Sequence, residues 1–196
     1  MEVTGLVNLE GTDMPRKLPR FLSPQEVNEL FRVASASKRD MILLKCLFHL
    51  GLRNSEAQKL EVGNIDHVNQ MVKVVQGKGK TDRYVPIPAA FAAELKGFMG
   101  ERDSGLLFGG RGERGAMSDR HIRRIVKHYA KLARIRKCEE IHPHTLRHSY
   151  ATFLHNRRVP LNEIQSLLGH KNIETTTIYT HLGIENLKRS VDMAFG

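Results

Sequence analysis

His142-Pro143-His144-Thr145-Leu146-Arg147-His148 gathers three histidines and an arginine at the start of a helix, where a folded core has no need of them. Pro143 suits the first helical position, because its fixed φ fits and its missing N–H would be unpaired there anyway. His144 and Arg147, three residues apart, then share one face of the first turn. The unpaired amides and the helix dipole favour an anion at that end. A second stretch, Leu167-Leu168-Gly169-His170, ends another helix at its glycine and presents His170 at the C-terminal end. Tyr179 follows in Thr175-Thr176-Thr177-Ile178-Tyr179-Thr180-His181. Zinc is the competing reading, since His144 and His148 are spaced as in a metalloprotease helix. Position 145 is threonine where that chemistry needs a glutamate base, and no third ligand stands out.

Helices dominate the chain on either side of these stretches. Residues 1–20 carry Gly5, Gly11, Pro15 and Pro19 without periodicity and read as a linker or ragged end. Ser23, Pro24 and Glu26 spell a capping box that starts the first helix, with Leu22 placed to staple onto it. A second helix runs from about Arg39 to Leu50 and stops at Gly51; a short one follows over Ser55 to Leu60. The pattern then changes. Val62–Val68, Met71–Val75 and Arg83–Ile87 are rich in β-branched residues, with turn chemistry at Asn69 and at Gly77–Gly79. They predict a three-stranded antiparallel sheet. Pro86 and Pro88 close it and open a helix through Phe91, Leu95 and Phe98, and a glycine-rich loop spans Gly105 to Gly115. The helix from Ser118 to about Arg134 has an apolar stripe of Ile122, Ile125, Val126, Tyr129, Leu132 and Ala133. Its basic stripe is Arg120, Arg124, Lys127, Lys131 and Arg134. Helices from His144 to Asn156 and Leu161 to Leu168, and an amphipathic tail, complete an α+β chain that is mainly α.

The 196 residues suit one domain with a short appendage, large enough to bury a core without disulfides. Lys and Arg number 31 against 21 Asp and Glu, a net charge of +10 that suits a polyanion partner. Between Arg111 and Lys137 ten Lys or Arg stand against two acids, so one face carries much of the excess. Cys46 lies in an apolar run and Cys138 stands alone; together they make no metal framework and suit a reducing cytosol. With no apolar signal region and no run long enough to span a bilayer, a cytoplasmic protein is expected.

Five motifs, taken in order, carry a resemblance. They are Gly51-Leu52-Arg53-Asn54-Ser55-Glu56; Gly77-Lys78-Gly79 before a strand ending Val85-Pro86-Ile87; His144-Thr145-Leu146-Arg147-His148; Leu168-Gly169-His170; and Thr176-Thr177-Ile178-Tyr179-Thr180-His181. Over about residues 20 to 190 the chain resembles the catalytic domain of the tyrosine recombinase (phage integrase) family, most of all its Xer branch. The resemblance implies a catalytic domain over 21–182 and a tail helix over 183–196. It implies an enzyme that cleaves and rejoins DNA strands through a covalent 3′-phosphotyrosine, without metal, ATP or any other cofactor. Double-stranded DNA and further copies of the chain, in a tetrameric synapse, are the implied partners. Family members carry a helical DNA-clamping domain ahead of the catalytic one, for which residues 1–20 are the only counterpart in this sequence.

On that resemblance Arg53 and Arg147 grip the non-bridging phosphate oxygens, since a guanidinium fork matches phosphate and stays charged. His170 donates to one of those oxygens and His144 assists proton transfer at the nucleophile. Lys78 protonates the leaving 5′-oxygen, with Lys80 in the same turn as its rival. Glu56, one helical turn after Arg53, orients the site. Of the four tyrosines, Tyr84, Tyr129 and Tyr150 read as packing residues and Tyr179 as the nucleophile. Arg120, Arg124, Lys127, Lys131 and Arg134 are the expected DNA-facing set. A type IB topoisomerase-like enzyme and a DNA-binding module without turnover are the other readings. For the tail, Ile184, Leu187 and Val191 form a narrow apolar stripe that needs a groove, either on its own domain or, as the resemblance suggests, on a neighbouring copy.

Overall fold

The computed structural model describes residues 20–75, 82–110, 112, 115–169 and 181–195, with side chains of the last helix from Leu187 onward. Lys78, Lys80, His170, Tyr179 and the side chain of Ile184 lie outside the described residues, as do residues 1–19. Eight α-helices and one small sheet make up the described chain. α1 (Pro24–Ala34) starts as its cap residues dictate. Ser23 Oγ accepts from Glu26 N at 3.2 Å, and Glu26 Oε2 accepts from Ser23 N at 2.9 Å. Leu22 is buried, and its N–H donates to Ser149 Oγ at 2.8 Å.

α2 (Lys38–His49) is the central helix. Ile42, Leu43, Leu44 and Leu47 are fully enclosed, and the helix packs on α1, α4 (Ala89–Met99) and α6 (Pro143–Asn156). Gly51 turns the chain out of it with φ +56°. A Cβ there would sit 2.6 Å from the Tyr150 ring, so both the conformation and the space require glycine. α3 (Asn54–Gln58) follows at once.

The sheet has the order β1 (Ile65–Asp66), β2 (Met71–Val74), β3 (Arg83–Pro86), all antiparallel, with Val72 opposite Val85 and Lys73 opposite Tyr84. The expected strand over Val62–Val68 shrinks to two residues. Val62–Asn64 is a 3₁₀ turn, and the Asp66 carboxylate accepts from the N–H groups of Val68 and Asn69, which pulls the chain into a turn and leaves Val68 exposed. Alternation along β3 sends Arg83 and Val85 inward and Tyr84 outward. Tyr84 is therefore a surface residue (43% exposed), not the packing residue expected.

α5 (Asp119–Leu132) is capped by Ser118 and buries Ile122, Ile125, Val126 and Tyr129. Leu132, expected on that stripe, is half exposed; Ala133 and Ile135 cover the core beyond it. α7 is Leu161–Leu168, with Gly169 in the left-handed region at its end. Among the described residues no helix is long and apolar enough to cross a membrane.

α8 (His181–Phe195) packs in cis, against α6 and β3. Leu187, Val191 and Ala194 are buried, and Phe195 stacks on Phe153 at 4.8 Å between ring centroids. Asp192 Oδ1 accepts from the first amide of α4, Ala89 N, at 3.2 Å. In the single chain the tail thus lies in a groove of its own domain. Ending the chain at Leu182 is accordingly expected to lower the melting temperature by about 10 °C or more, from roughly 1.5–3 kcal/mol for each buried apolar side chain removed. A thermal scan that finds the two chains within a few degrees would show that α8 adds little to this core.

Candidate active site

Four charged side chains from three elements meet under the end of α7. Glu56, on α3, is enclosed and accepts from Arg53 N at 2.7 Å and from Arg53 Nη1 at 2.8 Å. Its other donor is Arg83, whose Nη1 and Nη2 reach the two carboxylate oxygens at 2.7 and 2.9 Å, a fork on a fork. Arg147 Nη1, on α6, lies 3.8 Å from the same carboxylate. Burial alone would raise the Glu56 carboxyl. The hydrogen bonds and charge of Arg83, joined by Arg53, outweigh it and hold the group down at about 2.

The three arginines also share a second feature. Arg83 Nε donates to Leu167 O at 2.8 Å, Arg147 Nη2 to Leu168 O at 2.5 Å, and Arg53 Nη2 to Gly169 O at 3.2 Å. Three successive carbonyls at the negative end of α7 are thus each held by a different guanidinium. Arg147 also donates to Gly51 O at 2.5 Å, which ties the end of α2 to α6. Burial, then the charges of Arg53 and Arg83, lower Arg147 to about 10, so it remains a cation at neutral pH. Its two carbonyl bonds leave three of the five guanidinium N–H groups for other partners.

His144 sits on the first turn of α6, exposed, one turn before Arg147. Partial burial and the positive charges of His142, Arg123, Arg147 and Arg53 push its pKa below the ordinary histidine value, so it stands neutral and able to accept a proton. α5 is held against this corner, because Asn54 Nδ2 bonds the Asp119 carboxylate, which also takes Arg123 Nε. His148 faces away and packs edge-on against Phe21. Tyr129 and Tyr150 are buried, the former bonded to Asp40 Oδ2 at 3.3 Å.

Arg120, Arg124, Lys127 and Lys131 are exposed on the outer side of α5, and Arg134 is exposed beyond its end. Arg120 and Arg124 join Arg39 and His121 around a cleft of about 500 Å³ floored by Gly110, Gly112 and Met117. Two members are partly engaged: Lys127 is paired with Glu139, and Arg124 Nη2 lies 2.9 Å from His121 Nδ1. Arg134 lies past the helix end in a left-handed conformation rather than in the last turn. Among the described residues no group of three His, Cys, Asp or Glu side chains is placed to hold a metal ion.

The structure brings Arg53, Glu56, His144 and Arg147 to one corner. Lys78, His170 and Tyr179, expected with them, lie outside the described residues. Arg83 is the member that the motifs passed over. Its signal was present: a charged residue at the head of the alternation Arg83, Val85, Ile87 stands on the apolar face of its strand.

Residues 20–185 match the model of the phage integrase family. The chain belongs to that family. Its phage integrase match is accompanied by likeness to the tyrosine recombinase XerA of Thermococcus kodakarensis, 35% identical over 95% of this chain and 66% of that one. The crystal structure of XerA recombinase superposes with a TM-score of 0.72 at 28% identity, covering 89% of this chain and 66% of that one. A post-cleavage complex of XerH site-specific recombinase bound to its palindromic difH substrate gives 0.66 at 26% identity, covering 92% and 54%. The chain spans less than two thirds of the length of the curated relatives it matches.

Proposed function

We propose that this chain is the catalytic domain of a site-specific DNA recombinase that cuts and rejoins strands through a 3′-phosphotyrosine on Tyr179. The observation that carries the reading is the corner where Arg53 and Arg147 stand beside His144, at the end of the helix that leads to His170. A phosphodiester is a charged, poor electrophile, and a phenol with an ordinary pKa near 10 is a weak nucleophile at neutral pH. Arg53 and Arg147 supply fixed charge for the non-bridging oxygens, which needs no metal. His144 accepts the phenolic proton, His170 donates to the phosphate, and Lys78 protonates the departing 5′-oxygen. Rejoining reverses these steps, and the linkage conserves the bond energy, so no ATP enters.

Double-stranded DNA in the cytoplasm is the partner of this reading. Family membership, the XerH–DNA complex and the basic outer side of α5 support it. In an assembly of four copies on DNA, α8 would leave its own groove for a neighbour's. The test uses a pool of nicked duplexes of randomised sequence in EDTA, with recovery of protein-linked strands and mass spectrometry of the attached residue. An adduct on Tyr179 is expected; cleavage that requires added Mg²⁺ or Zn²⁺ would overturn the mechanism. Supercoil relaxation without site preference would point instead to a topoisomerase-like enzyme.

The basic face makes a separate prediction. Affinity should fall steeply with salt, and Arg120→Glu with Arg124→Glu should make the plot of log K against log salt shallower by roughly one unit for each phosphate no longer neutralised. An unchanged slope, measured by fluorescence titration, would turn this face of α5 away from DNA.

A further inference from the structure

Arg83 is the one cation of the corner that the proposed chemistry does not use. Its side chain is 3% exposed, against 30% for Arg53 and 8% for Arg147, and its donors are already engaged within the protein. Both of its terminal nitrogens lie on Glu56, and Nε is committed to Leu167 O. We propose that Arg83 is a positioning residue that neutralises Glu56, so that Arg53 and Arg147 keep their charge for the scissile phosphate.

The geometry shows what Glu56 would otherwise do. It already lies 2.8 Å from Arg53 Nη1 and 3.8 Å from Arg147 Nη1. A buried carboxylate without Arg83 would draw on those two guanidinium groups, in an enclosed site where one charge counts far more than in water. Among the described residues, three guanidinium groups and one carboxylate leave two positive charges at the corner. A phosphodiester brings one negative charge, and the pentacoordinate transition state of its cleavage carries two. Each fixed positive charge therefore gains more against the transition state than against the ground state, which is the condition for raising rate rather than binding alone. Removing Arg83 while Glu56 remains leaves half of that surplus.

Placement on β3 fits this role. Arg83 enters the interior because strand alternation gives it the same side as Val85, and it meets Glu56 across 27 residues of sequence. One strand residue thereby joins the sheet, α3 and the end of α7.

This inference rests on the reading of the corner as a phosphate site, and the experiment separates the two. Single-turnover cleavage of a recovered nicked duplex is compared for the full chain and three variants, with DNA affinity measured beside it. Arg83→Met should cleave about 100-fold more slowly, the order expected for one missing preorganised charge, while its Kd for DNA stays within about threefold. Adding Glu56→Gln to Arg83→Met should restore at least about tenfold of that rate, because the carboxylate that drew on Arg53 and Arg147 is gone. If Arg83→Met fails to fold, the double variant is set against Glu56→Gln alone. Rates within about threefold of each other are expected, since Arg83 has no charge left to neutralise once the carboxylate is removed and keeps only its bond to Leu167 O. Arg83→Met cleaving like the parent, a double variant no faster than Arg83→Met, or a double variant far slower than Glu56→Gln would each overturn the proposal. Absence of any Tyr179 adduct in the parent chain would overturn the functional reading itself.

Discussion

Tyr179→Phe is expected to abolish the covalent protein–DNA adduct while leaving DNA affinity within about threefold, because one hydroxyl adds little to a binding energy dominated by phosphate neutralisation. The argument runs through the other three tyrosines. Tyr150 is fully buried, its phenol pushed well above the usual range by burial, and its ring fills the space beside Gly51. Tyr129 lies in the apolar face of α5, with its hydroxyl on Asp40 and its pKa raised by burial and by that carboxylate. Tyr84 is open to solvent, but alternation on β3 sends it to the face opposite Arg83, away from the arginine corner. Tyr179 remains, in the motif that follows His170. Denaturing electrophoresis of nicked-duplex reactions reads the outcome directly. A surviving adduct in Tyr179→Phe, with mass spectrometry placing it on Tyr84, would give the nucleophile's role to a surface residue.

How far the sequence could be read depended on how local the physics was. The start of α1 was legible to the residue, because Ser23, Pro24 and Glu26 satisfy the first turn among themselves. The limits of α6 and α7 were similarly clear from Pro143 and Gly169. The first strand was overread, since its β-branched residues say nothing of the Asp66 side chain that takes two backbone amides and ends pairing early. Leu132 was placed on the apolar stripe by spacing alone, yet the helix ends there and the chain covers the core with Ile135 instead. The tail's stripe announced a need for a groove but not whose. Only the fold shows Phe195 reaching the ring of Phe153 and Asp192 reaching the start of α4.

The site divides in the same way. His144 and Arg147 share a turn, and Arg53 and Glu56 share a turn, so each pair could be seen in the sequence. What joins the pairs is tertiary. The carbonyls of Leu167, Leu168 and Gly169 lie 84, 21 and 116 residues from the arginines that hold them. No spacing rule reaches that far. Arg83 was hidden for a further reason: in a chain with 31 Lys and Arg, one more basic residue in a strand looks like surface charge.

Arg147→Ala should lower single-turnover cleavage by at least roughly 10²- to 10³-fold, the cost of one preorganised charge-stabilising donor. It should also lower the melting temperature, because Gly51 O and Leu168 O lose their donor in a buried place. Stability alone could therefore mimic the rate loss, and Arg147→Lys separates the two. A lysine keeps the charge but cannot span both carbonyls as the guanidinium does. Burial and the charges of Arg53 and Arg83, which bring Arg147 down to about 10, act on a lysine at that position in the same direction. Both disfavour a cation, so the lysine's pKa falls below its ordinary value, and the cation is lost as pH rises through the lowered value. Arg147→Lys should then cleave best near neutral pH and lose activity between about pH 7 and 10, a window set by its ordinary pKa near 10.4 and the downward shift. The parent chain should hold its rate to at least pH 9, since Arg147 stays charged there. Rate profiles under saturating DNA decide the matter. A loss below tenfold in Arg147→Ala, or parallel pH profiles for Arg147→Lys and the parent, would leave this buried arginine a brace for α2 and α7 rather than a phosphate clamp.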